Sequence, residues 1–285
     1  MHGGLAAVTP WALRDGRLED GYWIQKGKPT RRADILAALE AGKERPNMHM
    51  QFSESEDRIV TFGRYLNAKL ATVEASLRVA PDVFDYTNFH QYGDWRSVPV
   101  AAQWLRDEMR ERGYSMPLAA TEVGGPFWAR GEAYTYELQA EDIVKWHCVC
   151  LASGVEIIMW SSMVAARSWG EAFANTSLVD WNTGELKPAY HTYCLMVGKL
   201  RDIESVRRLP LNEWEDDTRM YEFVTPRGKL RIAWSDDTSG RHQRMLWEYS
   251  SATITHVDGR TEAARVEKGI LWLDLTRSPV FIEPE

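Results

Sequence analysis

The stretch VFDYTNFHQYGDWRSVPVAAQWLRDEMRERGYSMPLAATE, residues 83–122, sets the fold class, because its pattern changes period twice. VFDYTNFH (83–90) is rich in β-formers and too short for a helix, and the turn-prone QYGDWRS follows it. From Pro99 to Arg112 the spacing becomes helical, with Gly113 placed to close the helix as a C-terminal cap. MPLAATE (116–122) then has the composition of a buried strand. Strand, helix and strand on this scale make a βαβ unit, which requires a parallel sheet and places active-site residues on the loops that follow the strands.

Outward from this unit the pattern repeats. VGGPFWARGEAY is a loop, 137–153 a helix ending at Gly154, and VEIIMW (155–160) the next strand. A long loop leads to Pro188, suited to a helix start, and a helix runs from there to about Leu200. After about residue 205 the segments 218–225, 229–235, 243–249, 252–257, 263–267, 270–275 and 279–283 are short, β-rich and divided by turn signals such as PRGK, DDTSG and DGR. They predict a small antiparallel, sandwich-like β-domain over 205–285, with exposed turns at Asp236-Asp237 and Asp258-Gly259 and no part in the chemistry. Upstream, Ile59, Phe62, Leu66, Leu70, Val73 and Leu77 predict an amphipathic helix over 58–79 that Pro81 stops. In the region 10–57 ADILAALEAG is helical and MHMQFSESED has no clear period, so the stretch is an insertion within a first domain of residues 1–204.

Composition narrows the function. The 285 residues are 44% hydrophobic and 26% charged, ordinary values for a globular protein. No apolar run approaches the roughly 20 residues that cross a bilayer. A net charge of −7 offers no footprint for phosphate backbones or anionic lipid, so neither nucleic acid nor membrane is an expected partner. Residues 1–10 lack the basic and apolar segments of a signal peptide, which points to the cytoplasm if Met1 is the true start. The three cysteines, Cys148, Cys150 and Cys194, cannot all pair and are expected to be buried thiols; no cofactor or metal is implied. Thirteen Trp beside eleven Tyr suit stacking on flat ligands such as sugar rings, although core packing accounts for about half of such residues.

From about residue 83 to the C-terminus the chain resembles the retaining glycoside hydrolases of clan A, (β/α)8 barrels that include β-xylosidases of the family 39 type, β-mannanases, endoglucanases and α-L-iduronidase. The resemblance rests on NFHQYG, with His90 and Tyr92 at the end of strand six; on PLAATEVGG, with Glu122 at the end of strand seven; and on IIMW, with Trp160 at the end of strand eight. LVDWNTGELKPAY resembles the family's turn into helix eight, GILWLDLTRSPVFIE the close of its accessory β-domain, and HGGLAAV its strand five. The resemblance implies an α/β fold, a partial (β/α)8 barrel of about strands five to eight followed by the antiparallel β-domain. It implies a glycosidase that cleaves O-glycosidic bonds with retention, acting on an oligosaccharide or glycoside.

In that chemistry one carboxylate attacks the anomeric carbon, and a second carboxyl about 5 Å away protonates the leaving oxygen and later activates water. The resemblance makes Glu122 the nucleophile, with His90 and Tyr92 able to hydrogen-bond and aim it. It makes Trp95, Phe127, Trp128, Trp160 and Trp169 the aromatics of the sugar cleft, with Trp181 following them. Taken singly, a Glu after Thr at a strand end is more often a solvated loop residue, and a strand histidine is as often part of the core. The ordered series on three successive strands is what favours the catalytic reading. The clan's acid/base is a glutamate after asparagine on strand four, and no suitable Asn-Glu pair precedes His90; Asn212-Glu213 falls beyond the barrel. Either Met1 is an internal start, or a second chain or further copy completes the barrel; within the chain Glu54 and Glu56 of FSESED are the candidates, though such a stretch is commonly a solvated cap. The alternatives are a non-catalytic carbohydrate-binding or scaffold protein, and a metal-dependent hydrolase. The latter is disfavoured because the seven histidines are scattered and form no H-x-H pair.

Overall fold

The computed structural model describes residues 24–25, 28–29, 75–92, 95–125, 134–165, 171–210, 218–236 and 241–284. The expected strand at HGGLAAV, the helix at ADILAALEAG, most of the 58–79 helix, Glu54 and Glu56 lie outside the described residues. The fold is mixed α/β and divides into two compact units; the first contains the described residues up to 125 together with 153–161, and the second contains 134–152 and the described residues from 162 onward.

In the first unit a helix, α1 (residues 75–83), runs through Pro81 instead of stopping at it. Pro81 has no N–H to give to the carbonyl four residues back, Leu77. The Tyr114 hydroxyl donates to that carbonyl at 2.7 Å and so replaces the missing helical bond. Tyr114→Phe is therefore expected to lower unfolding stability by about 1–2 kcal/mol with an unchanged circular dichroism spectrum, measured by urea denaturation; no change would show that water satisfies Leu77 equally well.

The strands β1 (Thr87–Tyr92), β2 (Leu118–Gly124) and β3 (Val155–Trp160) form a parallel sheet in the order β1-β2-β3. The parallel sheet expected from the chain's strand-helix alternation is present with three strands among the described residues, where about four were expected. Between β1 and β2 lies α2 (Val98–Glu111), whose Val98, Ala101, Ala102, Leu105 and Met109 recur every three or four residues and are all buried. Gly113, at φ 80°, ends it in the left-handed conformation that glycine adopts without steric cost. The Thr87 hydroxyl donates to Met109 Sδ at 3.2 Å, which ties β1 to α2. Arg106 of α2 donates to the carbonyls of Ser153 and Gly154 just before β3. Gly154 has φ 67°, a backbone conformation that favours glycine, and the Arg106 guanidinium lies 2.7 Å from where a Cβ would stand.

Among its described residues the second unit holds α3 (Tyr136–Ala152), α4 (Glu171–Thr176), α5 (Pro188–Lys199) and nine strands. Every residue of α3 from Leu138 to Cys150 is buried, polar ones included. Gln139, Glu141 and Lys145 each have a counter-group. Gln139 donates to the Thr176 and Ser177 carbonyls, Lys145 Nζ meets Asp236 Oδ1 at 3.0 Å, and Arg277 Nε meets Glu141 Oε2 at 2.9 Å. Asp236 is thus an ion-pair partner and not the exposed turn residue expected, whereas Asp258 is exposed. Cys148 and Cys150 are buried, as expected, but Cys194 on α5 is exposed, because its position faces away from the buried Thr192 and Met196.

His147 donates Nδ1–H to the Ile143 carbonyl at 2.7 Å. Burial pushes its imidazole down to about 4 from an ordinary 6.5, outweighing that bond. The unfolded chain therefore binds a proton below 6.5 that the folded chain refuses until about 4, so stability falls as pH falls through that window. His147→Gln should remove roughly 3 kcal/mol of this pH dependence, read as the difference in urea unfolding free energy between neutral and acid buffer. Wild-type and variant curves that stay parallel would contradict it.

The nine strands β4 (Ser205–Arg208), β5 (Thr218–Thr225), β6 (Gly228–Ser235), β7 (Arg241–Leu246), β8 (Ala252–His256), β9 (Thr261–Ala263), β10 (Arg265–Glu267), β11 (Ile270–Leu275) and β12 (Val280–Pro284) pair antiparallel in two sheets, ordered β9-β8-β12-β6-β5-β4 and β10-β11-β7. Met220, Ala233, Ile254, Leu271, Leu273 and Ile282 meet in their shared core. β4 has no counterpart in the sequence reading. The stretch 263–267 is not one strand: β9 pairs with β8 and β10 with β11, so the chain changes sheets at Ala264. No described helix is long and apolar enough to cross a membrane.

Candidate active site

His90 and Tyr92 stand two residues apart at the end of β1, so the strand period sends both side chains to one face. For Glu122 of β2 to join them, the pleat has to be reset. Phe89 pairs with Ala120 while His90 pairs with Glu122, so β2 carries one extra residue, Thr121. The other edge shows the same insertion, because Ala120 pairs with Ile158 and Val123 with Trp160. This β-bulge re-aims Glu122 toward the His90 and Tyr92 face.

The Tyr92 hydroxyl donates a short hydrogen bond to Glu122 Oε2 and lies 3.1 Å from Ser161 Oγ. Burial above all, and then the bond to Glu122, hold the phenol well above its ordinary range, so Tyr92 stays a donor at any working pH. His90 Nδ1 lies 3.2 Å from the same Oε2, out of line for a hydrogen bond, so its attraction is ionic when the ring carries both protons. Its Nε2 is 3.1 Å from Thr121 Oγ1. Asn88 Oδ1 accepts both the Thr121 hydroxyl, at 2.8 Å, and the Thr121 amide, at 3.2 Å. With its proton on Asn88, Thr121 turns a lone pair toward His90 Nε2, and Asn88 Nδ2 lies 3.5 Å from the same nitrogen. Both partners of Glu122 thus converge on Oε2, and Oε1 has no hydrogen-bond partner among the described residues. The Glu122 side chain is 41% exposed, against 18% for His90, so the carboxylate faces solvent while its supports do not.

His90, Tyr92 and Glu122 are brought together, while Trp160 ends β3 in register with Val123 and is 9% exposed. Trp95 is not part of this group. Its ring is 1% exposed, with the Arg96 guanidinium 4.5 Å from its centre, so it packs as core and presents no face to a sugar. Phe127, Trp128 and Trp169 lie outside the described residues. Trp181 is exposed on the turn that Asp180 caps through the Asn182 and Thr183 amides. The sequence reading gave no role to Ser161, Thr121 or Asn88, although Asn88 opens NFHQYG and Thr121 stands within PLAATEVGG.

Comparison by sequence matches no family model and no curated protein. By structure the chain is similar to a family 39 glycoside hydrolase from the gut symbiont Bacteroides cellulosilyticus WH2, with TM-score 0.59 and 14% identity over 76% of this chain and 47% of that one. It is also similar to a GH30 endoxylanase from Clostridium papyrosolvens C71, with TM-score 0.50 and 13% identity over 72% of this chain and 50% of that one. The chain spans about half the length of each. The likeness is one of fold, to glycoside hydrolases.

Proposed function

We propose that β1, β2 and β3 are strands six to eight of a (β/α)8 barrel, and that Glu122 is the nucleophile of a retaining glycoside hydrolase. The observation that carries this reading is an exposed carboxylate at a strand end whose Oε2 is held by a protonated phenol while Oε1 has no hydrogen-bond partner among the described residues. Oε1 attacks the anomeric carbon as the bond to the leaving oxygen breaks, and that oxygen takes its proton from a second carboxyl group. Oε2 then becomes the carbonyl oxygen of the glycosyl ester, still bonded to Tyr92, until water attacks the anomeric carbon and returns the free carboxylate. His90 Nδ1 lies 3.2 Å from the same oxygen. The substrate is a glycoside or oligosaccharide. The in-chain acid/base candidates, Glu54 and Glu56, lie outside the described residues, so the test uses a leaving group that needs no protonation. A panel of dinitrophenyl glycosides of both anomers should yield at least one that is cleaved, and proton NMR of the sugar first released should show the anomer of the substrate. Release of the opposite anomer would exclude a glycosyl-enzyme and with it this role for Glu122.

A further inference from the structure

We propose that Ser161 is a positioning residue for that reaction, its hydroxyl donating to Tyr92 Oη so that the single phenolic proton stays on Glu122 Oε2; this rests on the glycosidase reading. A phenol has one proton and can accept through its oxygen lone pairs, whereas a carboxylate oxygen can only accept. The bond between Tyr92 and Glu122 therefore takes the proton of Tyr92. The 3.1 Å contact between Tyr92 Oη and Ser161 Oγ must then run the other way, with Ser161 as donor.

The backbone holds Ser161 where this requires. It follows Trp160 directly, and its amide donates to the Val123 carbonyl at 2.8 Å, which carries the β2–β3 pairing one residue beyond the strand. Ser161 is therefore locked beside the residue that follows Glu122, and it is only partly exposed, so water competes weakly for its hydroxyl. A hydrogen bond accepted by a phenolic oxygen makes its O–H a better donor, so the relay from Ser161 through Tyr92 strengthens the grip on Oε2. The Ser161 bond also works against burial in lowering the phenol's affinity for its proton, as expected for a donor to Oη.

Two readouts test this on the intact protein. The Tyr92 hydroxyl proton, identified by its loss in Tyr92→Phe, should give a downfield proton NMR signal that moves upfield in Ser161→Ala and stays in place in Ser161→Thr, which keeps the hydroxyl. The rate of the first step with a dinitrophenyl glycoside should fall roughly fivefold in Ser161→Ala, with KM little changed, and recover in Ser161→Thr. In a Tyr92→Phe background Ser161→Ala should have no further effect, since the relay is already broken. A full Ser161→Ala effect in that background would overturn the proposal. So would a hydroxyl signal that does not move in an enzyme that remains active, and the glycosidase reading would survive that result. A signal that moves in a protein that cleaves no glycoside would uphold the relay and overturn the glycosidase reading instead.

Discussion

Glu122→Gln is expected to lower kcat/KM on a dinitrophenyl glycoside by roughly ten-thousand-fold or more, the scale seen when a nucleophile is removed. An amide oxygen is a poor nucleophile, yet the amide is nearly isosteric with the carboxylate, and its oxygen can still accept from Tyr92. With the Glu122 side chain 41% exposed and on no buried ion pair, the substitution should leave the unfolding midpoint within the usual scatter of surface changes, about 0.5 kcal/mol. The measurement pairs initial rates with urea denaturation of the same preparation. An active Glu122→Gln variant would mean that another group attacks the sugar.

Tyr92→Phe is expected to lower the same rate by roughly a hundredfold with little change in KM, comparable to the loss of one preorganised donor. Tyr92 supplies the only aligned hydrogen bond to Glu122 among the described residues; His90 Nδ1, at 3.2 Å, stays close but misaligned. Without the phenol the carboxylate can rotate, and the oxygen that should attack is no longer distinguished from the other. Pre-steady-state release of dinitrophenol isolates the first chemical step, and an effect below about twofold there would assign Tyr92 to packing.

The parts of the fold that were legible in the sequence are those written in local patterns. The runs 83–90, 116–122 and 155–160 stand apart from their surroundings in β-former content, and Gly113 and Gly154 mark helix ends because a positive φ is needed there. Pro81 misled because its effect depends on a non-local partner: Tyr114 satisfies the Leu77 carbonyl that the proline leaves open. The burial of α3 was not legible either. Lys145 and Glu141 look like surface residues until Asp236 and Arg277 arrive from 91 and 136 residues away.

The candidate site divides in the same way. His90, Tyr92 and Glu122 were readable as residue types at strand ends, but what brings them together is a bulge at Thr121, which is a property of how strands pair and not of their composition. The aromatic residues after the strands suggested a sugar cleft, and Trp95 shows the weakness of that inference, since loop position does not determine whether a ring faces out or in. Ser161 carries no signal of its own. It matters only because the pairing of β3 with β2 sets it against the hydroxyl of Tyr92.

The central claim is that Glu122 forms a bond to sugar. A 2-fluoro glycoside slows both steps of a retaining reaction, and an activated leaving group restores the first, so the glycosyl-enzyme accumulates. Incubating the intact protein with such a reagent, digesting it and sequencing the modified peptide by mass spectrometry reads the attachment site directly. The account predicts one added fluoroglycosyl group per chain, on Glu122, absent from Glu122→Gln and formed more slowly in Tyr92→Phe. A label on any other residue would contradict it.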